Sequence, residues 1–186
     1  MVVAVNKNGI IGRNNKLLWD IPEDMKHFRR LTNHSIIVMG RRTFDSLPFG
    51  PLKSRINIVI TSTPNKYKDG YKNNDVTFCN LDESEEILKK LQKGTNKGIF
   101  IIGGAEIYKY FFSKCKNIYV THVDTDEHEG VSIKSILIEL SLDYKVIEKI
   151  GSYEERTGNP VKYEIVKYVK KWIIKSLNKW MWCRIN

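Results

Sequence analysis

The chain has 186 residues, 41% hydrophobic and 28% charged, with a formal net charge of +10. This composition reads as soluble and globular, and the length suffices for one domain with a sizeable core. No apolar run is long enough to span a bilayer, no signal peptide is visible, and no zinc-finger or aromatic ribonucleoprotein signature accompanies the basic charge. Half of that charge is local: Lys170, Lys171, Lys175, Lys179 and Arg184 supply +5 with no acid after Lys170. The other +5 is spread over residues 1–169, a field that suits anionic small molecules. Cys79, Cys115 and Cys183 are odd in number and far apart, which argues for reduced thiols in a cytoplasmic compartment. His27, His34, His122 and His128 form no metal-ligand spacing with them, so no metal is expected.

In chain order, short apolar runs at 2–5, 36–39, 56–61, 76–79, 99–102, 117–123, 144–150 and 161–169 predict strands. Helical patterns fall near 22–32, 41–47, 82–92 and 104–112. The alternation predicts an α/β domain with a largely parallel sheet. Thr157-Gly158-Asn159-Pro160 reads as a turn, so the last two runs should form an antiparallel hairpin. Segment 64–75 reads as a polar loop. Residues 171–186 differ, holding Trp172, Trp180 and Trp182 and no acid. Ile173, Leu177, Trp180 and Met181 recur there at helical spacing, which allows docking on the domain or contact with a surface outside it.

The most informative stretch is Leu17-Leu18-Trp19-Asp20-Ile21-Pro22-Glu23-Asp24. A carboxylate at the first turn of a helix, walled by apolar side chains, can bind a heterocycle that offers two parallel N–H donors. An ordinary helix start, with Asp20 as cap and Pro22 at the first position, explains the same eight residues. Four further segments accompany it. They are Val2-Val3-Ala4-Val5, Gly9-Ile10-Ile11-Gly12, Ile36 through Gly40-Arg41-Arg42-Thr43-Phe44, and Ile99 through Gly103-Gly104-Ala105-Glu106-Ile107-Tyr108. In order and spacing the five segments resemble dihydrofolate reductase, from about Val2 to about Lys170.

The resemblance implies a single domain over residues 1–170 and a separate tail over 171–186. It implies a mixed, mostly parallel eight-stranded sheet flanked by about four helices. It also implies NADPH as cofactor, dihydrofolate as substrate and hydride transfer to a C=N bond of a pterin. A cytoplasmic monomer with no nucleic-acid or membrane partner is expected. Asp24 would bind the pterin and promote its protonation, with a water near Trp19 as relay and the Thr121 hydroxyl supporting the carboxylate. Val2, Val3, Met25, Phe28, Leu47, Leu52, Ile102 and Tyr108 would complete the substrate wall. Phe28 lies four residues after Asp24, on the same helix face. Arg55 would hold the glutamate carboxylate, for which a guanidinium fork is suited.

For the cofactor, the resemblance points to Ala4 and to a mobile lid of Ile10, Ile11, Gly12, Arg13, Asn14, Asn15, Lys16 and Leu17. Gly40, Arg41, Arg42 and Thr43 would face phosphate at a helix start. Arg41 and Ser62, within Thr61-Ser62-Thr63, would hold the 2′-phosphate. Gly103 and Gly104, joined by a cis peptide in the family, would let backbone approach the cofactor, with Ala105, Glu106 and Ile107 following. Three departures stand out. Phe44 replaces a common Trp, segment 48–51 is short relative to animal members, and Val131 stands where many members place an Asp that helps hold the lid. Two alternatives share these residues: a pyrimidine reductase of riboflavin synthesis, and a non-catalytic folate- or nucleotide-binding module with a tail that contacts nucleic acid or membrane.

Overall fold

Ile36, Ile37, Val38 and Met39 are fully buried, and so are Ile58 and Val59. Continuous apolar runs of this kind suit strands covered on both faces of a parallel sheet. In the computed structural model, which describes residues 1–67, 76–155 and 161–173, they form β3 (Ile36–Gly40) and β4 (Ile56–Ile60). The flanking strands are β5 (Val76–Cys79) and β6 (Ile99–Gly103). The order is β5-β4-β3-β6, and every pairing is parallel. This sheet belongs to the unit Asn14–Tyr110. Its helices are α1 (Pro22–Thr32), α2 (Arg41–Asp45), α3 (Leu81–Thr95) and most of α4 (Ala105–Phe111). A capping box starts α3: Glu83 N–H donates to Asn80 Oδ1 at 2.9 Å, and the Glu83 carboxylate accepts from Asn80 N–H at 3.4 Å.

A second unit combines Met1–Arg13 with the chain from Phe111 onward. Its sheet runs β1-β7-β10-β9, where β1 is Val2–Asn6, β7 Asn117–Val123, β9 Tyr144–Glu155 and β10 Val161–Lys170. β1 lies parallel to β7, and β10 is antiparallel to both β7 and β9. A two-stranded ribbon pairs β2 (Ile10–Gly12) with β8 (Val131–Ser132). Helix α5 (Lys134–Asp143) buries Ile136 and Leu140.

All eight expected runs are strands, and the β9–β10 hairpin is present. The single eight-stranded sheet is not what the hydrogen bonds describe: the strands divide into two four-stranded sheets plus the ribbon. There are five α-helices rather than about four among the described residues. α5 escaped the sequence reading because its apolar residues do not form one clean stripe: Ile138 and Leu142 are exposed while Ile136 and Leu140 are buried. Asp20 is not the cap of α1. Ile21 holds that position without a side-chain cap bond, and Pro22 starts the helix. The expected loop at 64–75 begins with a short 3₁₀ turn at Pro64–Lys66. Residues 68–75, the turn 157–160 and the tail from 174, with Trp180, Trp182 and Cys183, lie outside the described residues.

Candidate active site

Asp24 sits in the first turn of α1, half-buried, with half-buried Trp19 five residues before it. Phe28 follows one turn later on the same helix, and the Arg55 guanidinium carbon lies 6.0 Å from its ring centroid. Arg55 is fixed from two sides. Its Nη1 donates to Thr32 Oγ1 at 2.9 Å and its Nε to the Lys53 carbonyl at 3.1 Å. Thr32 in turn donates to the Phe28 carbonyl at 2.8 Å. Burial, and then the neighbouring Arg29 charge, lower the pKa of Arg55. Both effects mark a place where an anion would be favourable.

The loop that carries Leu52 and Arg55 is held by Asn57, a buried polar residue inside β4. Its Oδ1 accepts from Leu52 N–H at 3.0 Å, and its Nδ2 donates to the Leu52 and Arg55 carbonyls at 3.1 and 3.0 Å. Leu47, Leu52 and Ile102 pack on one apolar cluster formed by Ile37, Met39, Phe44, Val59 and Phe78. Phe44 therefore fills a core position, its ring edge-on to Phe78 at 5.4 Å. Met25 is 36% exposed.

The carboxyl ends of β3, β4 and β6 meet at one edge of their sheet: Gly40 lies beside Ile60, and Met39 beside Gly103. The chain leaves β3 for β4 on one side, whereas β6 lies on the other. A crevice at the carboxyl ends beside such a reversal is where open α/β sheets bind ligands. The peptide between Gly103 and Gly104 is cis, and Gly103 has φ +121°. A Cβ at Gly103 would meet Tyr108 Oη at 3.2 Å, one at Gly40 would meet Ile107 Cγ1 at 3.1 Å, and one at Gly104 would meet Thr43 Oγ1 at 3.5 Å. A side chain would thus be tight at Gly40 and Gly103, where β3 and β6 end, whereas the contact at Gly104 is an ordinary one. Arg41, the first residue of α2, pairs with Asp45 at 2.5 Å. Beyond β4, Thr61 is buried and accepts from Thr63 N–H at 3.3 Å, while Ser62 is exposed.

In the other unit, Thr121 is buried on β7 and lies directly beside Ala4 on β1. Val2 and Val3 belong to the same strand, half-buried and buried respectively. The start of the segment expected as a lid is tied down by Asn6. Asn6 Oδ1 accepts from Ile10 N–H at 2.9 Å and from Asn8 N–H at 3.0 Å, while its Nδ2 donates to the Glu127 carbonyl at 2.8 Å. Gly12 pairs with Val131 through backbone. The Val131 side chain cannot accept a bond, but its main chain still holds Gly12. Arg13 reaches Glu129 at 3.6 Å. Asn14 and Asn15 both adopt positive φ, a conformation Asn tolerates better than most residues. Lys16 and Leu17 are exposed.

A surface cleft of about 550 Å³ lies elsewhere, lined by Lys7, His122, Asp124, Lys162 and Glu164 among others, and contains none of the expected site residues. Among the described residues no cluster of His, Cys, Asp or Glu could hold a metal, and no helix is long and apolar enough to cross a membrane.

A family model described as dihydrofolate reductase matches residues 1–170. The chain belongs to the dihydrofolate reductase family. A dihydrofolate reductase of Bacillus subtilis is 30% identical over 171 residues, covering 91% of this chain and 93% of that one. One from Buchnera aphidicola subsp. Schizaphis graminum is 39% identical over 125 residues, 67% and 71% of the two chains. The structure of dihydrofolate reductase from Enterococcus faecalis complexed with NADP(H) and RAB-propyl has a TM-score of 0.67 to this chain. It is 25% identical and covers 91% of this chain and 94% of that one. Membership makes the chain an NADP-dependent oxidoreductase that reduces dihydrofolate. Sequence reasoning gave no role to Thr32, Asn57 or Asn6, which hold the family's residues in place. A polar residue inside an apolar strand, as in Ile56-Asn57-Ile58, was the available signal.

Proposed function

We propose that Asp24 is the acid that binds and polarises the pterin of dihydrofolate, and that Arg55 binds the glutamate end. The observation that carries this reading is the line along α1: a half-buried carboxylate in the first turn, Phe28 one turn on, and Arg55 over that ring. A carboxylate offers two acceptors to an amino group and a ring N–H. Its negative charge favours the protonated imine, which accepts a hydride more readily. Asp24 need not hand over its own proton; a water near Trp19 serves as relay. Thr121 supplies the supporting hydroxyl. By the family resemblance Phe28, Met25, Leu47, Leu52, Ile102 and Tyr108 on one unit, and Val2 and Val3 on the other, would face the substrate.

The residues present fit NADPH on two counts. Gly40 and Gly103 keep backbone bare where a Cβ would crowd Ile107 and Tyr108, and Gly104 follows Gly103 directly. Arg41 already holds an oxyanion, the Asp45 carboxylate. When bound, NADPH supplies the hydride. Arg41 and Ser62 would hold the 2′-phosphate, with Thr61 and Thr63 beside them. Arg42, Thr43, Ala105, Glu106 and Ile107 would line the dinucleotide, and Ala4 with residues 10–17 would cover the nicotinamide. The catalytic domain is residues 1–170, the extent of the family match. A cytosolic monomer completes the reading, in keeping with Cys79 and Cys115 as free thiols.

The test is NADPH oxidation by the purified chain with and without dihydrofolate. Oxidation that depends on dihydrofolate is expected. Its absence, or dependence on an aminopyrimidine instead, would overturn the reading.

A further inference from the structure

We infer that Asp45 is a tethered counterion that holds Arg41 until a cofactor phosphate displaces it, and so tunes the preference for a phosphorylated dinucleotide. The inference rests on the reading of Arg41 as the residue that meets the 2′-phosphate. Arg41 Nη1 and Asp45 Oδ2 are 2.5 Å apart, with side chains 38% and 40% exposed. The pair is poorly explained as helix support. Arg41 is the first residue of α2 and Asp45 the last, so a cation sits at the positive end of the helix and an anion at the negative end. The favourable order at this spacing is the reverse. α2 also has no acid in its first turn, and Gly40 offers no side-chain cap. The local arrangement therefore gathers positive charge at Arg41 and answers it with one carboxylate reached from four residues away.

That carboxylate is a weak competitor. An ion pair this exposed holds its partner by a factor of about two to five. A phosphate carries more charge and more acceptor oxygens than a carboxylate, and a guanidinium fork matches both. Exchange of one oxyanion for the other leaves Arg41 paired throughout and costs only the release of an exposed side chain. A cofactor without the 2′-phosphate offers Arg41 nothing in exchange, so the Asp45 pair stays intact and binding is indifferent to it.

Calorimetric titration of NADPH and NADH into the full chain, Asp45→Asn, Arg41→Ala and the double variant tests this. Asp45→Asn is expected to tighten NADPH by about two- to fivefold, the strength of the pair removed, and to leave NADH unchanged. The gain should vanish when Arg41 is already Ala. Weaker NADPH binding by Asp45→Asn would show that the carboxylate positions Arg41 for the phosphate, and equal shifts for both cofactors would show a general charge effect. Either result, or no shift at all, overturns the proposal while a selective NADPH loss in Arg41→Ala keeps the reading of Arg41. If Arg41→Ala weakens both cofactors alike, the reading of Arg41 falls and the role of Asp45 falls with it. Circular dichroism of each variant separates these outcomes from misfolding.

Discussion

The Thr32 hydroxyl accepts from Arg55 Nη1 at 2.9 Å while donating to the Phe28 carbonyl at 2.8 Å. One buried oxygen thus links the last turn of α1 to the cation proposed to read the substrate's carboxylate. Thr32→Val keeps shape and removes both bonds. Dihydrofolate KM should rise about three- to tenfold because Arg55 loses its anchor, with stability lower by about 1–3 kcal/mol. kcat should hold, since the reacting end is elsewhere on the substrate. Steady-state kinetics beside urea denaturation check both, and an unchanged KM would detach Thr32 from substrate binding.

Asp24→Asn keeps volume and hydrogen bonding but removes the charge that favours a protonated pterin. Turnover near neutral pH should fall by orders of magnitude and recover in part as pH is lowered and the substrate protonates in solution. The pH profile of kcat is the measurement. Wild-type turnover at neutral pH would end the proposed role.

Asn6→Ala removes the acceptor that organises residues 6–10 and the donor to Glu127. The variant should lose about 1–3 kcal/mol, the scale for buried polar groups left unmatched. Backbone amides of residues 8–12 should exchange hydrogen faster than in the parent chain. Protection equal to the parent's would mean that the β2–β8 ribbon alone holds residues 8–12.

His122 Nε2 lies 2.8 Å from the Tyr168 hydroxyl. Burial lowers the imidazole pKa, and the Glu164 charge opposes that only in part. The native chain therefore binds this proton less readily than the unfolded chain. The resulting stability is full above the ordinary histidine range and is lost as pH falls from there through the lowered value. His122→Gln should flatten the decline of the urea midpoint over that window. An identical slope in the variant would assign the pH dependence to other groups.

The strands were legible because each is a short β-branched run bounded by turn residues, and the parallel sheet followed from the helices between them. α2 and the Gly103–Gly104 turn were legible through Gly40 and the paired glycines, whose spacing survives in the sequence. α5 was not, because its exposed Ile138 and Leu142 hide the periodicity of Ile136 and Leu140. β2 and β8 were too short to carry a pattern at all. In the site, the residues proposed to touch ligands were named from motif likeness, but Asn57, Thr32 and Asn6 act through backbone groups and partners distant in sequence. A buried Asn announces that something must satisfy it without saying what. Asp45 is harder still: beside Arg41 it looks like any surface acid until the 2.5 Å pairing is seen.

β1 finds its only parallel neighbour in the described sheet at β7, with Val2 opposite Tyr119. These partners are 117 residues apart. A ribosome adding about 5–20 residues per second needs roughly 6–23 s to make the second after the first. Through that interval Val3 and Val5, both buried in the finished chain, have no sheet to enter, whereas β3, β4, β5 and β6 can assemble among themselves as they emerge. Synthesis thus imposes an order on assembly, with the central segment first and the opening strand only once β7 has been made.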